Sequence, residues 1–217
     1  MNSELRLAVL ATALKVSFSE IQHLIRHTGV DRSIPTQLVK ILICDKDGTL
    51  VRTPEKFSVD PTAQQFTPGM VQAIKNYVPH TLLVISNQGG ISIGQKTLGE
   101  TLVELEYLWE MFTAKSIPIF AAYFCPDMMG RFCYQIDFEA KWEQELPPLL
   151  MYEQGNYRKP QPGMLQLIQA QYPEILNPEV AEVLYVGDRV DDEQAAAQVQ
   201  PNPLPFMWVD QFIQKYG

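Results

Sequence analysis

Cysteine is scarce in this chain, three in 217 residues, and so small and odd a number excludes a disulfide scaffold and points to a reducing compartment. Histidine is as rare, and His23 and His27, one helical turn apart, lack the further ligand that a metal centre needs. No run approaches the roughly 18 apolar residues of a membrane helix. The apolar stretch from Leu7 to Leu14 is short and flanked by Glu4 and Lys15, which does not suit an export signal. Positive charge is also in deficit: 17 basic residues face 25 acidic ones, for a formal net charge of −8. Broad binding to nucleic acid or to an anionic membrane needs a positive field that this chain lacks. The expectation is a cytoplasmic protein with no membrane partner.

What is present is an ordinary globular composition, 46% hydrophobic and 19% charged, in a length that suits one domain with an appendage. Residues 1–38 read as two short helices. Leu5, Leu7, Leu10 and Leu14 recur at helical spacing, then Ser17 and Glu20 stand at capping-box spacing before Ile21, Leu24 and Ile25. Gly29 and Pro35 mark the stop and the linker. Beyond them short apolar runs alternate with helical patterns. Strands are expected at Lys40–Cys44, Thr81–Ile85, Ile117–Phe124, Val183–Val186 and Phe206–Val209. Helices are expected at Pro68–Val78, Thr97–Ala114, Pro162–Gln171 and Glu193–Val199, with a short closing helix after Asp210. The predicted fold is therefore α/β, a doubly wound parallel sheet over residues 39–217 with a helical N-terminal extension over 1–38 and no large cap domain. The stretch Cys125–Tyr157, with Pro126, Pro147 and Pro148, reads as an irregular insertion over the active-site end. Its acids outnumber Arg131 and Lys141, which makes it a poor cradle for a nucleic-acid backbone.

In such sheets chemistry collects at the carboxyl ends of the strands. The first strand runs into Asp45-Lys46-Asp47-Gly48-Thr49-Leu50, two carboxylates one residue apart that repel each other unless a cation or substrate compensates. Asp-Gly is equally an ordinary turn dipeptide. The second strand ends in Ser86-Asn87-Gln88-Gly89-Gly90, whose hydroxyl, amides and Gly-rich turn offer neutral donors to a phosphate oxygen. Arg158 and Lys159 stand at the proline-stiffened entry to a helix, where a compact ammonium offsets an anionic site; a solvated surface pair is the bland alternative. The fourth strand ends in Gly187-Asp188-Arg189-Val190-Asp191-Asp192, with Asp188 and Asp192 four apart and able to face one site, or simply to cap a helix. Together these motifs assemble four carboxylates, a lysine and a phosphate-type cradle. Oxygen ligands beside a phosphate site select a hard cation, Mg²⁺.

The ordered set DKDGTL (45–50), Ser86, Lys159 and GDRVDD (187–192) resembles the four signatures of the haloacid dehalogenase superfamily of phosphotransferases. The stretches SNQGG and RKPQPGM resemble its subclass IIIA branch, which includes histidinol-phosphate phosphatases, heptose-bisphosphate phosphatases and the phosphatase domain of polynucleotide kinase–phosphatases. The resemblance implies a Mg²⁺-dependent phosphomonoester hydrolase with Asp45 as nucleophile and Asp47 as general acid and base. It implies phosphate binding by Ser86 and Lys159, with Asn87 and Arg158 beside them. Mg²⁺ would be held by Asp45, the main-chain carbonyl of Asp47, and Asp188, with Asp192 in support. The second aspartate favours phosphate esters, because dehalogenases of the superfamily lack it. A zinc loop of the heptose-bisphosphate branch is not matched: Cys125 and Cys133 stand with Asp127 and no histidine, short of four N or S ligands. The expected substrate is a small phosphorylated metabolite such as a sugar phosphate or histidinol phosphate. The alternatives are a 3′-phosphorylated nucleic-acid end and a non-catalytic binding module acting through residues 1–38.

Overall fold

The computed structural model describes residues 38–55, 57–138, 149–153, 155–172 and 181–217. Apart from Leu38, the expected helical extension lies outside the described residues, as do His23 and His27.

The seven-residue run Val39–Asp45 (β1) is the centre of the fold. Its period-2 alternation splits the interior, with Leu42 and Cys44 in one apolar cluster and Ile41 and Ile43 in the other, all fully buried. The same division runs through Thr81–Asn87 (β4) and Ala181–Gly187 (β8), which flank β1 in parallel. A strand buried on both faces needs helices on both sides. Met70–Tyr77 (α1), Leu98–Thr113 (α2) and Val209–Tyr216 (α5) cover one face, and Gly163–Gln171 (α3) and Val190–Ala197 (α4) cover the other. Two strands of two residues, Val51–Arg52 (β2) and Gln65–Phe66 (β3), form a small antiparallel hairpin between β1 and α1. They are too short to leave a periodic signal in the sequence.

The main sheet has seven strands in the order β7-β6-β5-β4-β1-β8-β9, where β5 is Ile119–Cys125, β6 is Phe132–Asp137, β7 is Leu149–Glu153 and β9 is Phe206–Trp208. From β1 the chain winds outward through β4 to β5, then returns to β8 on the opposite side of β1. The strand order thus reverses beside β1, and a crevice opens at the carboxyl ends of β1, β4 and β8. The doubly wound parallel sheet expected from the sequence is observed over its five parallel strands.

The stretch expected to be an irregular insertion carries two strands. Phe132–Asp137 (β6) and Leu149–Glu153 (β7) extend the sheet antiparallel beyond β5. The run FCYQID alternates buried Cys133, Gln135 and Ile136 with less buried neighbours, and its register puts Cys133 on the same layer as Cys125. Its polar and aromatic mixture hid the strand from a reading based on apolar runs. Among the described residues, no helix is long and apolar enough to cross a membrane.

Candidate active site

Asp45 is the last residue of β1, Ser86 and Asn87 end β4, and Asp188 follows β8 directly. The parallel register holds those ends level, pairing Asp45 with Ile85 and Cys44 with Val186. Lys159 enters from the turn before α3, and Asp192 from the first turn of α4.

The Lys159 ammonium pairs with Oδ1 of Asp45 and lies 2.7 Å from Oδ1 of Asp192. All three side chains are buried. The Tyr185 hydroxyl, inside β8, donates to the same Asp192 oxygen at 2.6 Å, and the Arg189 N–H donates to Asp192 Oδ2 at 3.1 Å. Asp192 is therefore an anchor for Lys159. Burial pushes the Asp45 carboxyl up, Lys159 opposes it, and the charges of Asp192 and Asp47 add to the rise, leaving it at about 7. Burial works against the Lys159 charge as well, but Asp45 and Asp192 hold its ammonium above the ordinary lysine value.

The carboxylates of Asp45, Asp188 and Asp192 bring one oxygen each within 4.8 Å of one another. They outnumber the Lys159 ammonium, which pairs with Asp45 and Asp192 but not with Asp188. Burial first, and then the neighbouring Asp192, raises the Asp188 carboxyl above its ordinary range. Surplus negative charge on oxygen-only donors is the environment a hard divalent cation neutralises, so the residues fit one. Gly48 makes the cluster compact. Its φ of +93° suits glycine, and a Cβ there would overlap the Asp188 carboxylate.

Asp47 points elsewhere. Its side chain, 48% exposed, takes Lys46 Nζ at 2.6 Å on Oδ1 and Gln88 Nε2 at 2.9 Å on Oδ2. Although burial works the other way, these partners hold its carboxyl below the ordinary value. Lys46 is fully buried, and its ammonium also lies 2.6 Å from Oε1 of Glu104 on α2, whose other oxygen pairs with Lys96. The sequence reading missed Lys46, Lys96, Glu104 and Tyr185, and it placed Gln88 among the donors to phosphate, whereas that amide donates to Asp47 and Ser86. Glu104 sits 58 positions from Lys46, and charged residues on an amphipathic helix ordinarily face water.

Ser86 is buried and accepts from Gln88 Nε2 at 2.8 Å. Asn87, expected to offer its amide to phosphate, is turned instead to the Lys159 main chain. It donates to the Lys159 carbonyl at 2.9 Å and accepts from the Lys159 N–H at 3.0 Å. Arg158 lies over the Gly89 backbone, where a Cβ would come within 2.7 Å of Nη1, and that buried nitrogen has no hydrogen-bond partner. Beside it a cavity of about 260 Å³ is lined by Met128, Met129, Gly130, Asn156, Arg158 and Lys159, among others. The loop entering this cavity is closed by Asp127, whose carboxylate accepts main-chain N–H groups of Met129 (2.8 Å), Arg131 (3.3 Å) and Phe132 (3.0 Å). A carboxylate thus organises the turn between Cys125 and Cys133.

A family model described as polynucleotide kinase 3 phosphatase matches residues 40–202. The D-glycero-beta-D-manno-heptose-1,7-bisphosphate 7-phosphatase of Yersinia pestis is 28% identical over 163 residues, covering 74% of this chain and 76% of that protein. The histidine biosynthesis bifunctional protein of Legionella pneumophila is 25% identical over 176 residues, covering 76% of this chain and 41% of that protein. Among solved structures, the D,D-heptose 1.7-bisphosphate phosphatase from B. bronchiseptica, complexed with magnesium and phosphate, superposes with a TM-score of 0.56 at 20% identity. That match covers 81% of this chain and 97% of the other.

Proposed function

We propose, for a chain that belongs to the polynucleotide kinase 3 phosphatase family and to subclass IIIA of the haloacid dehalogenase phosphatases, Mg²⁺-dependent hydrolysis of a small phosphate monoester through an aspartyl-phosphate on Asp45. The observation that carries the reading is the Asp45–Lys159–Asp192 arrangement with a second, half-exposed carboxylate, Asp47, beside it.

In the first step the Asp45 carboxylate attacks phosphorus, its bond to the leaving oxygen breaks, and Asp47 protonates the alkoxide as it departs. Lys159 offsets charge on the transferring phosphoryl group, and Asn87 keeps Lys159 in place by clamping its main chain on both polar atoms. In the second step Asp47 takes a proton from water, the water oxygen bonds to phosphorus, and the Asp45–phosphorus bond breaks to release inorganic phosphate. Mg²⁺, held by Asp45, Asp188 and the Asp47 main-chain carbonyl with Asp192 in support, would shield the negative charges of nucleophile and phosphoryl group from each other. Ser86 and the unpartnered Arg158 Nη1 supply donors for the remaining oxygens.

A small sugar phosphate is the favoured substrate class. The cavity beside Arg158 is sized for one small leaving group, the net charge of −8 disfavours a long polyanion, and the relatives named for their substrates include heptose-bisphosphate phosphatases. Reducing-compartment cysteine usage, with Cys44, Cys125 and Cys133 all free thiols, supports a cytoplasmic setting.

The test is phosphate release in Mg²⁺ from a panel of sugar mono- and bisphosphates, histidinol phosphate, nucleotides and a 3′-phosphorylated oligonucleotide, with the Asp45→Asn protein as blank. Preference for one small ester supports the reading. Preference for the oligonucleotide transfers it to nucleic-acid ends. A folded Asp45→Asn protein that still turns over rejects the mechanism.

A further inference from the structure

Asp47 lies at one end of a chain of alternating charges that runs away from the reacting centre into α2. Its Oδ1 is 2.6 Å from Lys46 Nζ, which is 2.6 Å from Glu104 Oε1, and Glu104 Oε2 pairs with Lys96. Lys46 has no exposed surface, and the side chains of Glu104 and Lys96 are 6% and 5% exposed. Burying two ammoniums and a carboxylate carries a desolvation cost that apolar residues of similar size would avoid. Nothing about the packing of α2 demands it, because Leu105, Leu108 and Phe112 already seat that helix on the sheet. What the charges do add is direction. A lysine bound only to Asp47 could swing with it toward solvent, whereas Lys46 is fixed from behind by Glu104. Glu104 in turn is fixed by Lys96 and by its own carbonyl, which accepts from Gln64 Nε2 at 3.0 Å. Gln64 directly precedes β3, at the end of the loop that joins it to β2, so the anchor joins two elements.

We propose that Lys46, Glu104 and Lys96 are positioning residues that hold the Asp47 carboxylate in the orientation from which it accepts the proton of the attacking water. The inference rests on the phosphatase reading above. Gln88 completes the clamp on the second oxygen, from the loop after β4. With both oxygens held by donors, the Asp47 carboxylate left once its proton has passed to the leaving oxygen is oriented for the second step, in which a proton moves from water to Asp47 as the Asp45–phosphorus bond breaks. None of the three residues touches Asp45, Asp188 or Asp192 through any recorded hydrogen bond or ion pair.

The two steps separate experimentally with p-nitrophenyl phosphate, whose phenolate departs with little need of an acid. In rapid-mixing measurements with Mg²⁺, Lys96→Met and Glu104→Gln are expected to keep the rate of the first p-nitrophenolate burst within about 3-fold of wild type. Steady turnover should fall roughly 10- to 100-fold, a part of what a positioned base contributes. Lys96→Arg, which keeps the cation, is expected to restore turnover. Lys96 stands at the rim of the network, so its variants remain informative if Glu104→Gln does not fold. Parallel loss of burst and turnover in Lys96→Met, or no loss of either, overturns the relay and leaves the phosphatase reading standing. Wild-type protein that releases no phosphate overturns the reading itself and the relay with it.

Discussion

The ammonium of Lys159 and the carboxylate of Asp192 lie 2.7 Å apart, with their side chains 4% and 1% exposed. Asp192 comes from α4 and Lys159 from the turn before α3, so the pair ties together two helices on one face of the sheet. Truncating Asp192 leaves Lys159 with Asp45 as its remaining carboxylate and takes the acceptor from the buried Tyr185 hydroxyl. Asp192→Ala is expected to lower unfolding free energy by about 1–3 kcal/mol, the usual cost of leaving a buried donor without its acceptor. Urea denaturation measures it. A cost below about 1 kcal/mol, the level of an exposed pair, would contradict the anchoring role assigned to Asp192.

Gly48 and Asp188 make a second prediction. The +93° φ and the overlap of any Cβ with the Asp188 carboxylate leave no room for alanine without displacing that carboxylate. Gly48→Ala is expected to cut turnover by roughly 10²-fold, the scale of an ångström-sized misplacement in an active site. Because Asp188 would hold the cation, the Mg²⁺ concentration for half-maximal activity should rise with it. A variant with unchanged Mg²⁺ dependence would remove Asp188 from the ligand set.

The central strands were legible because β1, β4 and β8 are short, β-branched apolar runs that stop at polar turns, the pattern of a sheet covered on both faces. Asp45, Lys159, Asp188 and Asp192 were legible for a related reason, as charged residues placed where buried strands and helix entrances meet. Strand β6 was missed because Tyr134 and Gln135 interrupt the apolar signal, and β7 because its Leu149, Leu150 and Met151 sit exposed at a sheet edge. Asn87 reads as a phosphate donor beside Ser86, yet only the fold brings Lys159 within reach of its amide, 72 residues away. The partners of Asp47 were invisible for the same reason: a buried Lys46–Glu104 pair has no local sequence signature. Cys125 and Cys133 are separated by a turn that Asp127 closes, a solution that spacing alone does not announce.

Cation removal supplies the third prediction. Clustered carboxylates repel until a cation joins them, so EDTA should abolish turnover and Mg²⁺ restore it. Binding should also stabilise the fold, by about 2.7 kcal/mol at a hundredfold excess over Kd. Thermal unfolding with and without Mg²⁺ reads both effects on one sample. Asp188→Asn should lose the Mg²⁺-dependent rise in Tm while keeping its Tm in EDTA, since its carboxyl bears repulsion from Asp192 in the absence of a cation. Full activity in EDTA would count against any cation at this cluster.

Asp45 gives the cation-free protein a pH dependence of defined sign. Its carboxyl stands at about 7 in the folded protein, against 3.8 ordinarily, because burial disfavours its charge more than Lys159 favours it. Between those values the folded protein retains a proton that the unfolded chain has released, so stability must fall as pH rises from about 4 to about 7 and level off above. The size follows from about 1.4 kcal/mol per tenfold change in proton affinity. Asp47 has the opposite sign: its lowered carboxyl contributes stability above its ordinary value of 3.8 that is lost on further acidification, outside the Asp45 window. A cation bound to ionised Asp45 should flatten the decline, so stabilisation by Mg²⁺ should grow from pH 5 to pH 7. Urea unfolding in EDTA at pH 5 and pH 7.5, for wild type and Asp45→Asn, isolates the group. Wild type should lose more stability over that interval than the variant, which has no proton to release at this position; equal losses would mean that the Asp45 carboxyl titrates in its ordinary range.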